Sequence, residues 1–390
     1  MKSKVSIAKC KDYDFERVKN TIRVSLESIG GLEGIVKRGN RVLLKGNIGA
    51  PSPPEQASTT HPSIIKAMIQ LVREVGGIPI FGDSPIIERI TEETFEISGH
   101  AKIAHKEGIE ITAFNKNGFK KVKIPKGKQI KEIYFSKDVL NADVVISIPK
   151  LKTHILTYYT GAIKNMFGAL EKESRINIHK SFIKVIPFSE AIVDVFSVRK
   201  PDLAIMDGIW AMEGLGPSHG QIKKVGVIIS SKDSVALDAV SSAIIGYDPM
   251  DIPTTKDAEM RRLGNGKLDQ IEILGEQIDK VKVDFEKVPI IRDEIRERFK
   301  NFFLSKMSVD KTKCKGCNLC MDQCPAKAIK LKPYPVFDPE KCILCFCCFE
   351  LCPEGAITFE IPRLVGKSSL ITQEMASELL TNVKKYKEGK

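Results

Sequence analysis

Two near-copies of one cysteine string constrain this chain more than any other feature. The first runs Cys314, Cys317, Cys320, Cys324, Pro325 and the second Cys342, Cys345, Cys348, Cys352, Pro353. The copies agree beyond the thiols. Asp310 and Asp338, Lys313 and Lys341, and Ala328-Ile329 and Ala356-Ile357 stand at one constant offset. Residues this closely matched describe an internal duplication of a single half-module.

The spacing C-x2-C-x2-C-x3-C-P has a chemical reason. A 4Fe–4S cube needs thiolates at tetrahedrally disposed corners, and three cysteines at this spacing wrap three corners from one tight loop. The fourth ligand must come from elsewhere, and in two-cluster ferredoxins the fourth cysteine of each run crosses to the other cluster. The reading is two 4Fe–4S clusters, one on Cys314, Cys317, Cys320 and Cys352, the other on Cys342, Cys345, Cys348 and Cys324. Pro325 and Pro353 turn the chain at the crossing ligand and remove an amide hydrogen. Gly316 gives the first loop room for close backbone approach. Leu344 holds that position in the second loop, so the second cluster should have a drier edge, with Phe346 and Phe349 nearby. Zinc sites place a longer spacer between cysteine pairs, and a disulfide framework needs an oxidising compartment. Cys347 and Cys10 are read as unligated small hydrophobes.

With 390 residues the chain exceeds one average domain. Its 42% hydrophobic and 28% charged residues describe a soluble globular protein. No apolar run approaches the ~20 residues that span a bilayer. The N-terminus lacks the apolar stretch of a signal peptide, and the clustered thiols point to a reducing cytoplasm. The formal net charge is +12. Two oxidised cubes with their thiolates would lower it to about +8. The remaining excess suits an acidic redox partner protein or a small anionic ligand. Its lysines are scattered rather than interleaved with aromatics, which argues against nucleic acid.

Before the cysteines, short apolar strands alternate with helical patterns. Strands are predicted at Val5–Ala8, Arg41–Lys45, Ile78–Phe81, Ile109–Phe114, Asp143–Ile148, Leu203–Met206 and Val225–Ile229. Helices are predicted from Phe15 to Ile29, from Pro62 to Gly76, and near Glu92–Glu107. Such alternation implies an α/β fold, a mostly parallel sheet covered on both faces by helices. The cysteine region adds a small α+β ferredoxin-like domain. Expected boundaries are 1–303 for the large domain, 304–362 for the cluster domain and 363–390 for a C-terminal helix. Ile291 to Phe303 reads as a charged amphipathic helix, Ile357 to Ile361 as a strand. From Thr372 a helix with Met375, Leu379, Leu380 and Val383 should dock on the body. No low-complexity linker is present, so the cluster domain should pack on the large one.

Ligands of parallel sheets sit beyond the carboxyl ends of the strands. Polar groups follow five of the predicted strands: Lys45-Gly46-Asn47, Gly82-Asp83-Ser84, Pro149 to His154, Asp207-Gly208 and Ser230 to Asp233. In Lys150 to Gly168, the residues Lys150, Lys152, Lys164 and Asn165 are candidates for gripping an anion near a helix start. Asp207 to Pro217 reads as a glycine-rich loop with two carboxylates and the single tryptophan. Asp207, Glu213 and His154 are the candidate catalytic residues, the two carboxylates as proton donors or metal ligands and His154 beside the lysines on an anionic group. A surface hairpin is the plainer reading of that loop. Neither stretch is a G-x-G-x-x-G or a P-loop.

Thr60-His61-Pro62, Gly82 to Pro85, Pro149 to His154, Thr160 to Gly168, Asp207-Gly208, Glu213 to Pro217, and Asp233 with Ala236 to Ala239 together resemble the domain of unknown function 362 family. The resemblance covers about residues 1 to 300, departing at Gly46, where the family more often has proline. That family is often fused to a two-cluster ferredoxin and is described as an iron–sulfur centre protein. It brings no established reaction with it. The functional expectation is a redox protein, possessing a relay of two clusters that exchanges electrons with a ligand in the α/β cleft. A non-catalytic electron-transfer or adaptor subunit is the alternative.

Overall fold

A computed structural model of the chain describes residues 2–85, 90–288 and 307–359. Strands follow in the order β1 (Ser3–Lys9), β2 (Arg41–Lys45), β3 (Ile78–Asp83), β4 (Glu110–Ala113), β5 (Phe119–Lys123) and β6 (Glu132–Ser136). Next come β7 (Val144–Ser147), β8 (Lys150–His154), β9 (Tyr158–Thr160), β10 (Leu203–Glu213), β11 (Gln221–Ser231) and β12 (Ile271–Gly275). One 10-stranded sheet has the order β12-β1-β11-β10-β7-β2-β3-β4, with β8 beside β10 and β9 beside β8. Pairing is parallel from β10 through β7, β2 and β3 to β4, and between β12 and β1. On this path β11 alone opposes its neighbours. The sheet is mixed and mostly parallel, and β5 and β6 form a separate hairpin.

The apolar strand runs serve two cores at once. In β2 and β7, Leu43 and Val145 join one buried cluster, while Val42, Leu44, Val144 and Ile146 join the other. Successive strand residues point to opposite faces, so a run apolar at every position needs cover on both. Helices Phe15–Ser28 and Pro62–Glu74 cover one face, through residues such as Val18, Ile22, Ile65 and Met68. Val185–Val198 and Ser234–Ile244 cover the other, through residues such as Ile192, Val195, Leu237 and Val240. Local signals set the helix starts. Asp14 accepts from Arg17 N, and Asp233 accepts from Val235 N and Ala236 N.

Four expectations need correction. The helix near Glu92–Glu107 is two helices, Thr91–Ile97 and His100–Glu107, parted where Gly99 takes a φ of +77°. Asp207 to Glu213 is no loop but the second half of β10. Lys150 to His154 is a strand and leads into the β8–β9 hairpin, with the short helix Ala162–Asn165 beyond it. Because β11 runs against its neighbours, Ser230 to Asp233 leaves the sheet at the edge opposite the other exits. The helices expected at Ile291–Phe303 and from Thr372 lie outside the described residues. Ile357–Ile361 is described as strand to Phe359.

The cysteine region is built on β13 (Met307–Val309), β14 (Ile329–Leu331), β15 (Pro335–Phe337) and β16 (Ile357–Phe359). Antiparallel pairs β13–β16 and β14–β15 make two small sheets. The sequence repeat reappears as hydrogen bonding: Asp310 N donates to Ala356 O and Asp338 N to Ala328 O, both at 2.7 Å. This module packs on the large domain. Ile155 shares a core with Leu344, Phe346, Phe349 and Ile357, and Ile90 packs against Leu319 and Leu351. The His219 ring meets Phe349 edge-on at 5.2 Å. Among the described residues no helix is long and apolar enough to cross a membrane.

Candidate functional site

Two small cavities in the module are ringed by cysteines. Cys314, Cys317, Cys320 and Cys352 line the first, and Cys324, Cys342, Cys345 and Cys348 line the second, each of about 20 Å³. The fourth thiol of each run thus sits at the other run's cavity. Ala328 N donates to Cys324 Sγ at 3.2 Å, and Ala356 N to Cys352 Sγ at 3.3 Å. Amide donors of this kind stabilise thiolate charge. Among the described residues no group of three or more His, Cys, Asp or Glu side chains is arranged to hold a single metal ion. Four thiols spread around an apolar space with amides turned on the sulfur suit a cube of irons and sulfides.

Backbone conformation repeats with the thiols. Gly316, Asn318 and Lys327 have φ of 65°, 64° and 50°, and their counterparts Leu344, Phe346 and Gly355 have 54°, 59° and 57°. Leu344 therefore adopts the left-handed backbone of Gly316. The position is set by backbone direction rather than by room, since a Cβ on Gly316 would meet nothing within 4 Å. The surroundings differ as the sequence predicts. Gly316 and Cys317 lie exposed, whereas Leu344, Phe346 and Phe349 are buried. The loop of the first cavity, the outer one, is the more exposed, and that of the second, the inner one, the more buried.

A larger cavity, about 130 Å³, lies where the module meets the carboxyl ends of β2 and β3. The β8–β9 hairpin and the helix Lys172–Ser181 form its sides, and Gln323, Pro325, Cys347, Glu350 and Leu351 close it from the module. Pro325 and Cys347 line both this cleft and the inner cysteine cavity. A wall one side chain thick separates them.

Charge is unevenly distributed in the cleft. Lys45 Nζ lies 2.7 Å from Asp83 Oδ1, both buried, and Asp83 Oδ2 accepts from Ile48 N at 2.7 Å. Lys152 and Lys164 form no ion pair among the described residues. Lys152 Nζ donates to Ser58 O at 2.5 Å, and burial with the neighbouring Lys164 pushes its pKa down to about 7. Burial lowers Lys164 as well, against the pull of Glu350. Asn165 accepts from Lys45 Nζ at 3.4 Å and donates to Ser147 Oγ at 3.0 Å, tying the short helix to the strand ends.

The predicted site residues divide into two groups. Lys152, Lys164 and Asn165 line the cleft. Lys150, His154, Asp207 and Glu213 do not. Lys150 Nζ and Asp207 Oδ2 are 2.9 Å apart and wholly buried. Tyr13 OH donates to Asp207 Oδ1 at 2.8 Å, His61 N to Oδ2 at 2.9 Å, and the His61 ring stacks on Tyr13 at 3.6 Å. Glu213 accepts from Glu286 N at 2.8 Å, fastening the segment after β12. His154 Nδ1 accepts from Leu156 N and Thr157 N at 3.0 and 3.2 Å, so its proton belongs on Nε2. That atom faces Glu350 Oε1 at 3.3 Å, across the contact between domain and module.

Sequence reasoning passed over Lys172, Arg175, His179 and Glu350, all on the cleft wall. Two signals marked them. The first three follow i, i+3, i+7 spacing along one helix face, and Glu350 is a carboxylate set between two cysteines of the second run.

Fold and site together define an α/β domain joined to a 4Fe–4S ferredoxin-type module. Residues 42–243 match the family model of a domain of unknown function, DUF362, and residues 313–356 match a 4Fe-4S dicluster domain. The chain belongs to the DUF362 family. It is 35% identical over 265 residues to the thylakoid-associated protein sll1697 of Synechocystis sp. (strain ATCC 27184 / PCC 6803 / Kazusa), covering 68% of this chain and 80% of that relative. The lactate racemase apoprotein from Thermoanaerobacterium thermosaccharolyticum has a partly similar fold, with a TM-score of 0.43 and 11% identity. That likeness covers 62% of this chain and 57% of the racemase chain.

Proposed function

We propose that each cysteine cavity holds one 4Fe–4S cluster and that the protein passes electrons through them to or from a small anionic ligand in the cleft. Each cube supplies one-electron redox capacity at a site the thiols and amides stabilise. The exposed edge at Gly316 and Cys317 suits docking of a one-electron donor protein. With a cube held by each set of four cysteines, the pair would supply two electrons in the reducing direction, and a ligand taking up both would draw protons from solvent or the cleft. The shared wall of Pro325 and Cys347 carries this reading, because it brings the inner cysteines against the cleft. Lys152 and Lys164 hold the ligand, and Leu344, Phe346 and Phe349 keep water from the inner site.

Anaerobic protein reduced with dithionite provides the test. Small carboxylates and phosphates are added while the visible absorption of the clusters is followed. One of them should speed reoxidation, and Lys164→Gln should slow that response. If none alters the rate, electron delivery to the cleft is refuted.

The second reading is a non-catalytic electron carrier or adaptor that docks on a partner redox enzyme. The position of Asp207 and Glu213, outside the cleft and fixed by structural partners, favours it. In that case Lys164→Gln leaves electron transfer to the partner unchanged.

A further inference from the structure

We propose that the cleft binds a small carboxylate with an apolar body about the size of a benzene ring, its carboxylate gripped by Lys152 and Lys164. This deepens the reading of the cleft as a ligand site and rests on it. Three observations carry the inference.

The first is which charges the protein leaves uncommitted. Lys45 is matched by Asp83 at 2.7 Å, whereas Lys152 and Lys164 face the cleft without an ion pair among the described residues. Burial disfavours the charge of both, Lys164 adds to this at Lys152, Glu350 across the cleft attracts both, and an anion between them adds to that attraction. The second is a set of buried polar atoms on residues of the same wall, of which the Thr160 hydroxyl is a donor. Asn47 Oδ1, Thr160 Oγ1 and His179 Nδ1 belong to cleft residues and have no hydrogen-bond partner among the described residues. Thr160 is 2% exposed. Its hydroxyl can donate to a carboxylate oxygen, or a water can join the two. The third is the remaining wall. Ile48, Phe167, Ile176 and Leu351 present apolar surface, and a volume of about 130 Å³ is close to the ~150 Å³ of an apolar cavity that takes up benzene. Inorganic phosphate would leave that surface wet, and a neutral ring would leave the lysines unmatched.

Calorimetric titration of the oxidised, cluster-loaded protein under anaerobic conditions tests the inference without requiring electron transfer. The probes are benzoate, benzyl alcohol and inorganic phosphate. Benzoate should bind saturably and the other two far more weakly. Lys164→Met should cost benzoate at least about tenfold in affinity, the size of a lost charge-assisted hydrogen bond, while Lys164→Arg retains most of it. Full iron content and an unchanged near-ultraviolet spectrum establish that the methionine variant is folded. The inference is overturned if benzoate fails to bind, if phosphate or benzyl alcohol binds as tightly, or if Lys164→Met binds benzoate unchanged. Benzoate that binds without reoxidising reduced clusters would leave this inference standing, and would contradict electron delivery to this ligand class.

Discussion

Lys152 is the side chain at which sequence, burial and function meet most directly. It lies on β8, 4% exposed, and its ammonium donates to Ser58 O. Burial pushes its pKa from 10.5 down to about 7, Lys164 and Lys150 push the same way, and Glu350 and Asp83 oppose them. The sign of the consequence follows. In the folded chain the ammonium is lost as pH rises through about 7, whereas the unfolded chain keeps it to 10.5. Folding stability from this group therefore rises with pH between those values. Anion binding moves the other way and weakens above about pH 7. Benzoate affinity measured by calorimetry from pH 6 to 9 should show that decline, and Lys152→Met should flatten it. An unchanged slope in the variant would place the titrating group elsewhere.

At the scale of elements, the cleft depends on how two neighbouring strands end. The Lys45–Asp83 pair ties the carboxyl ends of β2 and β3, while Asp83 also holds the loop at Ile48. Removing one partner strands a buried charge. Asp83→Ala should lower stability by about 3–5 kcal/mol in urea unfolding, and adding Lys45→Met should restore much of the loss. If the double variant is as unstable as the single one, the cost lies in the loop rather than in the charge. Most strands were legible because a buried parallel strand has an unbroken apolar run, as at Val42 to Leu44. Strand direction was not, because periodicity is the same read either way, and so the exit at Ser230 was assigned to the wrong edge. The length of β10 was hidden by Gly208. There the register shifts, and a Cβ would stand 3.0 Å from Val227 O. A glycine required by close packing reads in sequence as one required by a turn. The cleft was half legible. Lys152 and Lys164 stood in a dense polar string, but the face of Lys172–Ser181 and the module's Glu350 needed the docking of two domains to become neighbours.

Across the whole molecule, the arrangement is a sequence of environments. A cysteine cavity with an exposed loop is followed by one with a buried loop, and then by a cationic cleft at the strand ends. The absence of a low-complexity linker anticipated that module and large domain would pack together, and Ile155, Ile90 and His219 are the residues that join them. All of this depends on what the two rings of thiols hold. Iron and acid-labile sulfide determined on protein purified without oxygen address that point directly. The account predicts about eight of each per chain, two cubes' worth. Zinc in their place, or only half that iron and sulfide in fully folded protein, would contradict it.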